Sequence, residues 1–249
     1  MALTVELSTA RSWNDDHMQA LFAEGFPEFI VADREVEKYI ARIRECFTHL
    51  DLMLVDEHEV PVATGWGVPI AWSGTTEDLP ATFAQILSRA LDVHDTNGEA
   101  NTLVIGGTVV HPGSKGSGAA SELLNALRRL ARQYGLSRVL APVRPTRKHF
   151  YPLTSMDEYV SWVRDDGLPL DPWLRLHVRL GGRILAVAPH AQTMTGTVAQ
   201  WETWVNMRLP ASGEYVISQG MSLLHIDLAN DLGTYVEDNV WVHHEPEST

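Results

Sequence analysis

A glycine-rich loop is the part of this sequence best equipped for chemistry. Pro112, Gly113, Ser114, Lys115, Gly116, Ser117 and Gly118 follow an apolar stretch ending at Val109, Val110 and His111, and lead into a helix predicted from about Ala119 to Tyr134. The first turn of a helix leaves backbone N–H groups without partners. The aligned peptide dipoles add about half a positive charge at the same place. Gly116 and Gly118 carry no side chain, so a bulky anion can approach the main chain, and Lys115 adds a formal positive charge. Such a set suits a pyrophosphate. It is not a P-loop, since no glycine stands at the required distance before a Gly-Lys-Ser/Thr run. Nor is it the dinucleotide fingerprint, whose glycines are spaced differently and open the first strand–helix unit. Upstream, Gly106 and Gly107 interrupt the apolar strand expected from Leu103 to Val110. Adjacent glycines in a buried strand signal a bulge, or a close approach by ligand or backbone.

The elements that must position this loop follow from periodicity. Leu3, Val5 and Leu7 alternate with polar neighbours, which predicts a strand over 3–8. A helix is expected over 14–24, with a break at Gly25-Phe26-Pro27. Val36, Ile40, Ile43 and Phe47 form an amphipathic stripe over 33–47, with Asp33 as its N-cap. Strands at 50–56 and 60–70 make a hairpin through Glu57-His58-Glu59, and a helix follows over 81–92. In the helix after the glycine loop, Ala120, Leu123, Leu124, Leu127 and Leu130 face inward, Arg128, Arg129 and Arg132 face outward, and Gly135 stops it. A short apolar strand covers 137–143. Beyond it the pattern predicts helices over 155–164, 172–180 and 197–206, and strands at 183–188, 214–218 and 222–228. The tail carries Tyr235, Val240 and Trp241.

Composition narrows the class. With 249 residues, 45% of them hydrophobic, the chain can bury a sizeable core. A net charge of −13 repels phosphate backbones, which argues against a nucleic-acid partner and tolerates cationic acceptors. Cys46 stands alone, so no internal disulfide can form. No apolar run is long enough for a bilayer and the first residues lack the pattern of a signal peptide, so the expectation is a cytoplasmic protein with no membrane partner.

The glycine loop resembles the phosphate-binding motif of the GNAT superfamily of N-acetyltransferases, whose pattern is Gln/Arg-x-x-Gly-x-Gly/Ala. Lys115, Gly116, Ser117, Gly118, Ala119 and Ala120 match it, with lysine in the leading place. The lysine keeps the charge and loses the planar fork of arginine. The order of predicted elements is similar to that family's core, and Trp173 to Gly182 resembles its last core helix and the turn that ends it. The resemblance implies an α/β (α+β) fold: a central mixed, mostly antiparallel sheet flanked by helices, with insertions at 73–100 and 146–171. It also implies one domain over 1–249, with a core of about 1–190 and a C-terminal extension, 191–249, that completes the sheet and covers the acceptor site.

The activity implied is transfer of an acetyl or other short acyl group from acyl-CoA to the amine of a small-molecule acceptor by direct attack. Coenzyme A pyrophosphate would sit on the N–H groups of 116–120, and its pantetheine arm would pair with Val109 and Val110. The thioester would lie near the glycine-bearing strand, whose N–H groups would hold the developing oxyanion. The acceptor would approach from the side of Phe26-Pro27-Glu28-Phe29 and the 146–171 insertion. The reaction needs a base for the ammonium and an acid for the thiolate. The family often takes the acid from a tyrosine near its last core helix, which points to Tyr159, while His149 is the candidate base. Tyr159 also suits packing against Trp162, and His149 a solvated basic turn. No metal is expected: His243 and His244 are adjacent and have no acidic partner at ligand spacing. Two other readings keep the scaffold. One takes the acyl group from a carrier protein's phosphopantetheine, and the other is a non-catalytic module that binds CoA or a partner. The Trp-rich tail suits a homodimer interface as well as a lid.

Overall fold

The computed structural model describes residues 3–22 and 25–246. Residues 23 and 24, the end of the helix expected over 14–24, lie outside the described residues. Four strands, β1 (Thr4–Leu7), β2 (Asp51–Val55), β3 (Pro61–Ile70) and β4 (Thr102–Val110), lie side by side and antiparallel. The next, β5 (Arg138–Val143), runs parallel to β4. Later in the chain come β6 (Arg183–Gly196), β7 (Gly213–Tyr215), β8 (Leu224–Asp227) and β9 (Leu232–His244). All nine form one sheet, in which β4–β5 is the parallel pair and the other pairings are antiparallel.

The helices are α1 (Asp15–Phe22), α2 (Arg34–Cys46), α3 (Phe83–Asp95), α4 (Ala119–Gln133), α5 (Met156–Ser161), α6 (Pro172–Arg179) and α7 (Val198–Val205). Their starts are chemically marked. Asp33 accepts from the amides of Glu35 and Val36, and Ser155 from that of Glu158. Asp171 precedes Pro172 and caps α6, while Thr197 and Gln200 form a reciprocal capping box on α7. Each cap gives an otherwise orphaned N–H a partner, which is why these starts were readable from sequence. Among the described residues no helix is long and apolar enough to cross a membrane.

The main core lies between the sheet and its helices. It collects Leu52, Leu54, Val104 and Val139 from strands, and Leu123, Leu127, Ile86 and Leu87 from α4 and α3. A second cluster joins Phe29, Trp201 and Tyr235, with Met194, Leu224 and Ile226. Here the Phe29 ring meets Trp201 at 5.5 Å and Tyr235 at 5.1 Å.

The strand expected over 183–188 is longer in the fold: β6 runs unbroken from Arg183 through residue 190 to Gly196. The tail is a 13-residue strand, β9, that the sequence pattern did not predict. Val240–His243 pair with β5 on one edge and with β6 on the other, so β9 sits inside the sheet. Its first residues, Leu232–Tyr235, pair with β8 on the β5 side. Between those two partners, residues 236–239 of β9 have no neighbouring strand on that edge.

Candidate active site

The site begins where two strands part. β4 pairs with β3 along its whole length, but with β5 only through Thr102, Leu103 and Val104, opposite Arg138, Val139 and Leu140. From Ile105 onward the β5-facing edge of β4 has no strand partner among the described residues, although β5 stays paired with β9 on its other edge through Val143. Val109, buried, and Val110, half-buried, lie on this parted stretch. The pairing of β3 with β4 shifts register between Trp66 and Gly67, which face Gly107 and Ile105, so Gly106 is the extra residue of a bulge.

The glycine loop follows directly. The His111 ring accepts a hydrogen bond from the Gly113 amide at 3.1 Å, and the Ser114 carbonyl accepts from the Ser117 hydroxyl at 2.7 Å and from its amide at 3.2 Å. These bonds fix the turn from within. Gly116 and Gly118 have φ of +83° and +92°, a region open to glycine and costly for other residues. A Cβ built on either meets nothing within 4 Å, so the space above both is empty. Gly118 is the N-cap of α4 and offers its first turn no side-chain cap. Lys115, Gly116, Ser117 and Gly118 are exposed, Ala119 is buried and Ala120 half-buried. The result is the N-terminus of a 15-residue helix facing unfilled space beside an unpaired strand edge. Coenzyme A fits these residues: the empty volume above the two glycines admits a pyrophosphate, and the helix N–H groups suit its charge.

The candidate proton carriers stand in the segment after β5. Tyr159 is 2% exposed, and its hydroxyl donates to Asp171 Oδ2 at 2.9 Å. Burial, then the Asp171 charge, push the phenol far above its ordinary pKa. Asp171 also accepts from the Arg147 amide at 2.8 Å, and from the Trp173 and Leu174 amides at the start of α6. One carboxylate thus ties the turn before His149 to α5 and α6. Tyr159 packs on Trp162 and Tyr151, at 5.4 and 5.8 Å. His149 is half-buried, and its ring stacks on Phe150 at 4.1 Å. Burial, then Arg144, hold it below the usual imidazole value, against a smaller upward pull from its bond with Thr146 and from Asp171. No contact joins His149 to Tyr159 directly; Asp171 lies between their segments.

A buried polar network beside this segment was missed in the sequence. Glu237 is fully buried on β9, in the stretch that pairs with β6 and has no strand neighbour on the β5 side. Arg144 Nε donates to it at 2.8 Å, and Tyr235 donates to its other oxygen at 3.1 Å. Arg144 also reaches the Gln219 carbonyl at 2.7 Å, and Lys148 Nζ donates to the carbonyls of Met221 and Tyr151, at 2.6 and 2.8 Å. These side chains bridge the gap between β5 and β8. Burial alone would lower the Arg144 pKa, but Glu237 outweighs it and the net shift is upward. The available signal was Glu237 at even spacing between Tyr235 and Trp241: a carboxylate on an inward strand face needs a partner.

Phe29, expected on the acceptor side, is 1% exposed within the second cluster, while Phe26 remains 40% exposed. A separate cavity of about 270 Å³ opens between the N-terminal turns of α2 and α3 and the irregular part of β6. Asp33, Glu35, Gln85, Ser88, His190 and Gln192 contribute to its wall, which contains no lysine or arginine and no residue of the glycine loop. Ala84, also in the wall, follows Phe83, whose ring meets Trp66 at 6.2 Å. Elsewhere, His177 and His244 are buried in contact, Nδ1 to Nε2 at 2.8 Å. No group of three or more metal-ligating side chains occurs among the described residues.

A mostly antiparallel sheet that parts after its parallel pair, with a glycine loop capping a helix at the parting, defines a class of CoA-dependent acyltransferase folds. The sequence profile described as "Acetyltransferase (GNAT) family" matches residues 12–153, more than half of the chain, and the protein belongs to that family. Among individual relatives, it is 30% identical to "Arginine N-acetyltransferase avaD" of Aspergillus versicolor, over 88% of this chain and 84% of that one. Among solved structures, the loading GNATL domain of CurA from Lyngbya majuscula superposes with a TM-score of 0.60, at 16% identity and 98% coverage of both chains. The GphF GNAT-like decarboxylase in complex with isobutyryl-CoA gives 0.53 at 18% identity, covering 99% of this chain and all of the other. Both are likenesses of fold.

Proposed function

We propose that this protein transfers a short acyl group from acyl-CoA to the amine of a small, cationic acceptor. The observation that carries the reading is the empty space above Gly116 and Gly118, at the start of α4 and beside the free edge of β4. A pyrophosphate there would meet the N–H groups of 116–120, with Lys115 at the rim. The pantetheine arm would then follow β4 and bond the main chain of Val109 and Val110. Acyl-CoA supplies the activated acyl group; the protein aligns it and manages two protons. One must leave the attacking nitrogen and one must reach the departing sulfur.

We assign the first transfer to His149, because its depressed pKa leaves the ring uncharged and basic near neutral pH. Tyr159, with its hydroxyl bound to Asp171, we read as the anchor of the segment that carries His149. For the acceptor we look to the cavity whose wall carries no lysine or arginine: Asp33 there is engaged by the amides of Glu35, Val36 and Thr193, so Glu35, paired with Lys38, is the carboxylate that an ammonium or guanidinium group would meet. The relative named for arginine makes L-arginine the first acceptor to try.

The test has two parts. Titration calorimetry with CoA and acetyl-CoA should give binding to the wild type and none to Gly118→Trp, which would fill the space above the loop. Thiol release and product mass should then identify acetyl transfer to L-arginine or another member of an amine panel. If the wild type binds neither ligand, the free-CoA reading is wrong, and an acyl carrier protein becomes the donor to try. Tight binding with no turnover on any amine would favour the non-catalytic module.

A further inference from the structure

We infer that Trp66 sets the length of acyl chain this site admits; the inference rests on the acyl-CoA reading above. Side chains alternate along β3. A Cβ at Gly65 would lie 3.2 Å from Leu127 on α4, so Trp66 occupies the opposite face of the sheet. There its indole crosses from β3 onto the bulge of β4. A Cβ at Gly106 would stand 2.4 Å from Trp66 Cη2 and Cζ3, and one at Gly107 3.0 Å from Nε1. Regular strand geometry would send those two directions to opposite faces. The extra residue of the bulge turns both toward one ring. The indole therefore fills the room of two side chains, with its six-membered edge over Gly106, on the strand whose far edge β5 has left free.

That ring is also held from behind. Phe83, the first residue of α3, meets it edge-on, with centroids 6.2 Å apart and planes at 85°. Any acyl group beside the bulge on this face meets a flat apolar wall braced by Phe83 and seated on glycine backbone. A two-carbon group needs little space there. A longer chain requires the indole to move, and the close approach to Gly106 leaves it nowhere to go on the strand side. Each excess methylene in such a pocket is worth about a tenfold factor or more.

The experiment is calorimetric titration of wild type, Trp66→Phe, Trp66→Leu and Trp66→Ala with CoA, acetyl-CoA, butyryl-CoA and hexanoyl-CoA. CoA, which has no acyl group, is the reference ligand for each protein. Wild type should bind hexanoyl-CoA at least about tenfold more weakly than acetyl-CoA, and Trp66→Ala should reduce that penalty by about tenfold, with phenylalanine and leucine between. A wild type that binds all chain lengths alike would overturn the inference. So would a penalty that persists in a variant that binds CoA. Should the alanine protein lose its cooperative melt, the other two variants carry the same ratio. A wild type that binds no CoA removes the acyl-CoA reading and this inference together. CoA binding without discrimination by length removes this inference alone.

Discussion

The two candidate proton carriers show how much a single residue's surroundings decide. His149 and Tyr159 stand ten positions apart in the sequence and share a segment, yet their environments oppose one another. His149 is held below its ordinary pKa, so it is a free base over most of the neutral range. His149→Gln should therefore lower kcat by roughly 10²-fold, the usual scale for a lost general base. In the wild type, activity should fall as pH drops through the depressed imidazole pKa, below about 6.5. That acid limb should be absent from the pH–rate profile of the variant. An unchanged limb in His149→Gln would assign the titration to another group. Tyr159 is the contrary case: a phenol whose pKa is raised by burial and a neighbouring carboxylate keeps its proton. Tyr159→Phe should cost about 1 kcal/mol of stability through the lost bond to Asp171, seen in a denaturant titration, with kcat within about threefold of wild type. A loss of kcat as large as that of His149→Gln would restore Tyr159 to the chemistry.

At the scale of elements, β9 is held by polar contacts as much as by its ladder. Arg144 follows β5 immediately and reaches Glu237 across 93 positions of sequence, closing the gap that β5 and β8 leave along β9. Removing one partner of a buried pair strands the other charge. Arg144→Met should therefore destabilise the fold by about 3–5 kcal/mol, measured as a shift of the urea midpoint at constant slope. A shift within error would mean that water reaches Glu237. The other end of β9 holds the His177–His244 pair against α6. Burial, then mutual charge for His177 and Arg128 for His244, depress their pKa values to about 3 and about 4. The sign is then fixed. Between those values and the ordinary 6.5 or so, the unfolded chain binds protons that the folded chain refuses, so stability falls as pH falls. Tm should decline from pH 7 to pH 5 by the equivalent of about 2 kcal/mol for one such proton. A flat Tm over that range would show that both imidazoles take up protons in the fold as readily as in the unfolded chain.

The whole molecule depends on residues that arrive late in the chain. β9 lies between β5 and β6, so the sheet is incomplete until the last strand is placed. A fragment ending at residue 190 cuts β6, lacks β9 and leaves Phe29 without the other core members of the second cluster. It should show no cooperative thermal transition by circular dichroism, whereas an independently folding core would melt sharply. The net charge of −13 acts at this scale too. On the acyl-CoA reading, an acidic surface must bind its anionic ligand through local positive potential, which the α4 N-terminus and Lys115 would supply.

The sequence by itself determined whatever depends on neighbours in the chain. The cap at Asp33, the 57–59 hairpin turn, the inward leucines of α4 and the glycine loop all act over a few residues, so type and spacing suffice to read them. The two adjacent glycines of β4 announced a bulge or a close approach, and the fold shows both. Only the tertiary structure decided what fills that bulge, since Trp66 comes from another strand. The same holds for the place of β9: the tail with Tyr235, Val240 and Trp241 gave no strand pattern, and only the fold brings Phe29 and Trp201 to Tyr235 and Arg144 to Glu237. The glycine loop before α4 was legible because its left-handed glycines and the helix start are set by local geometry. The fate of Tyr159 and His149 was not, because a pKa depends on burial and on charges such as Asp171 and Arg144, which only the packed fold sets beside them.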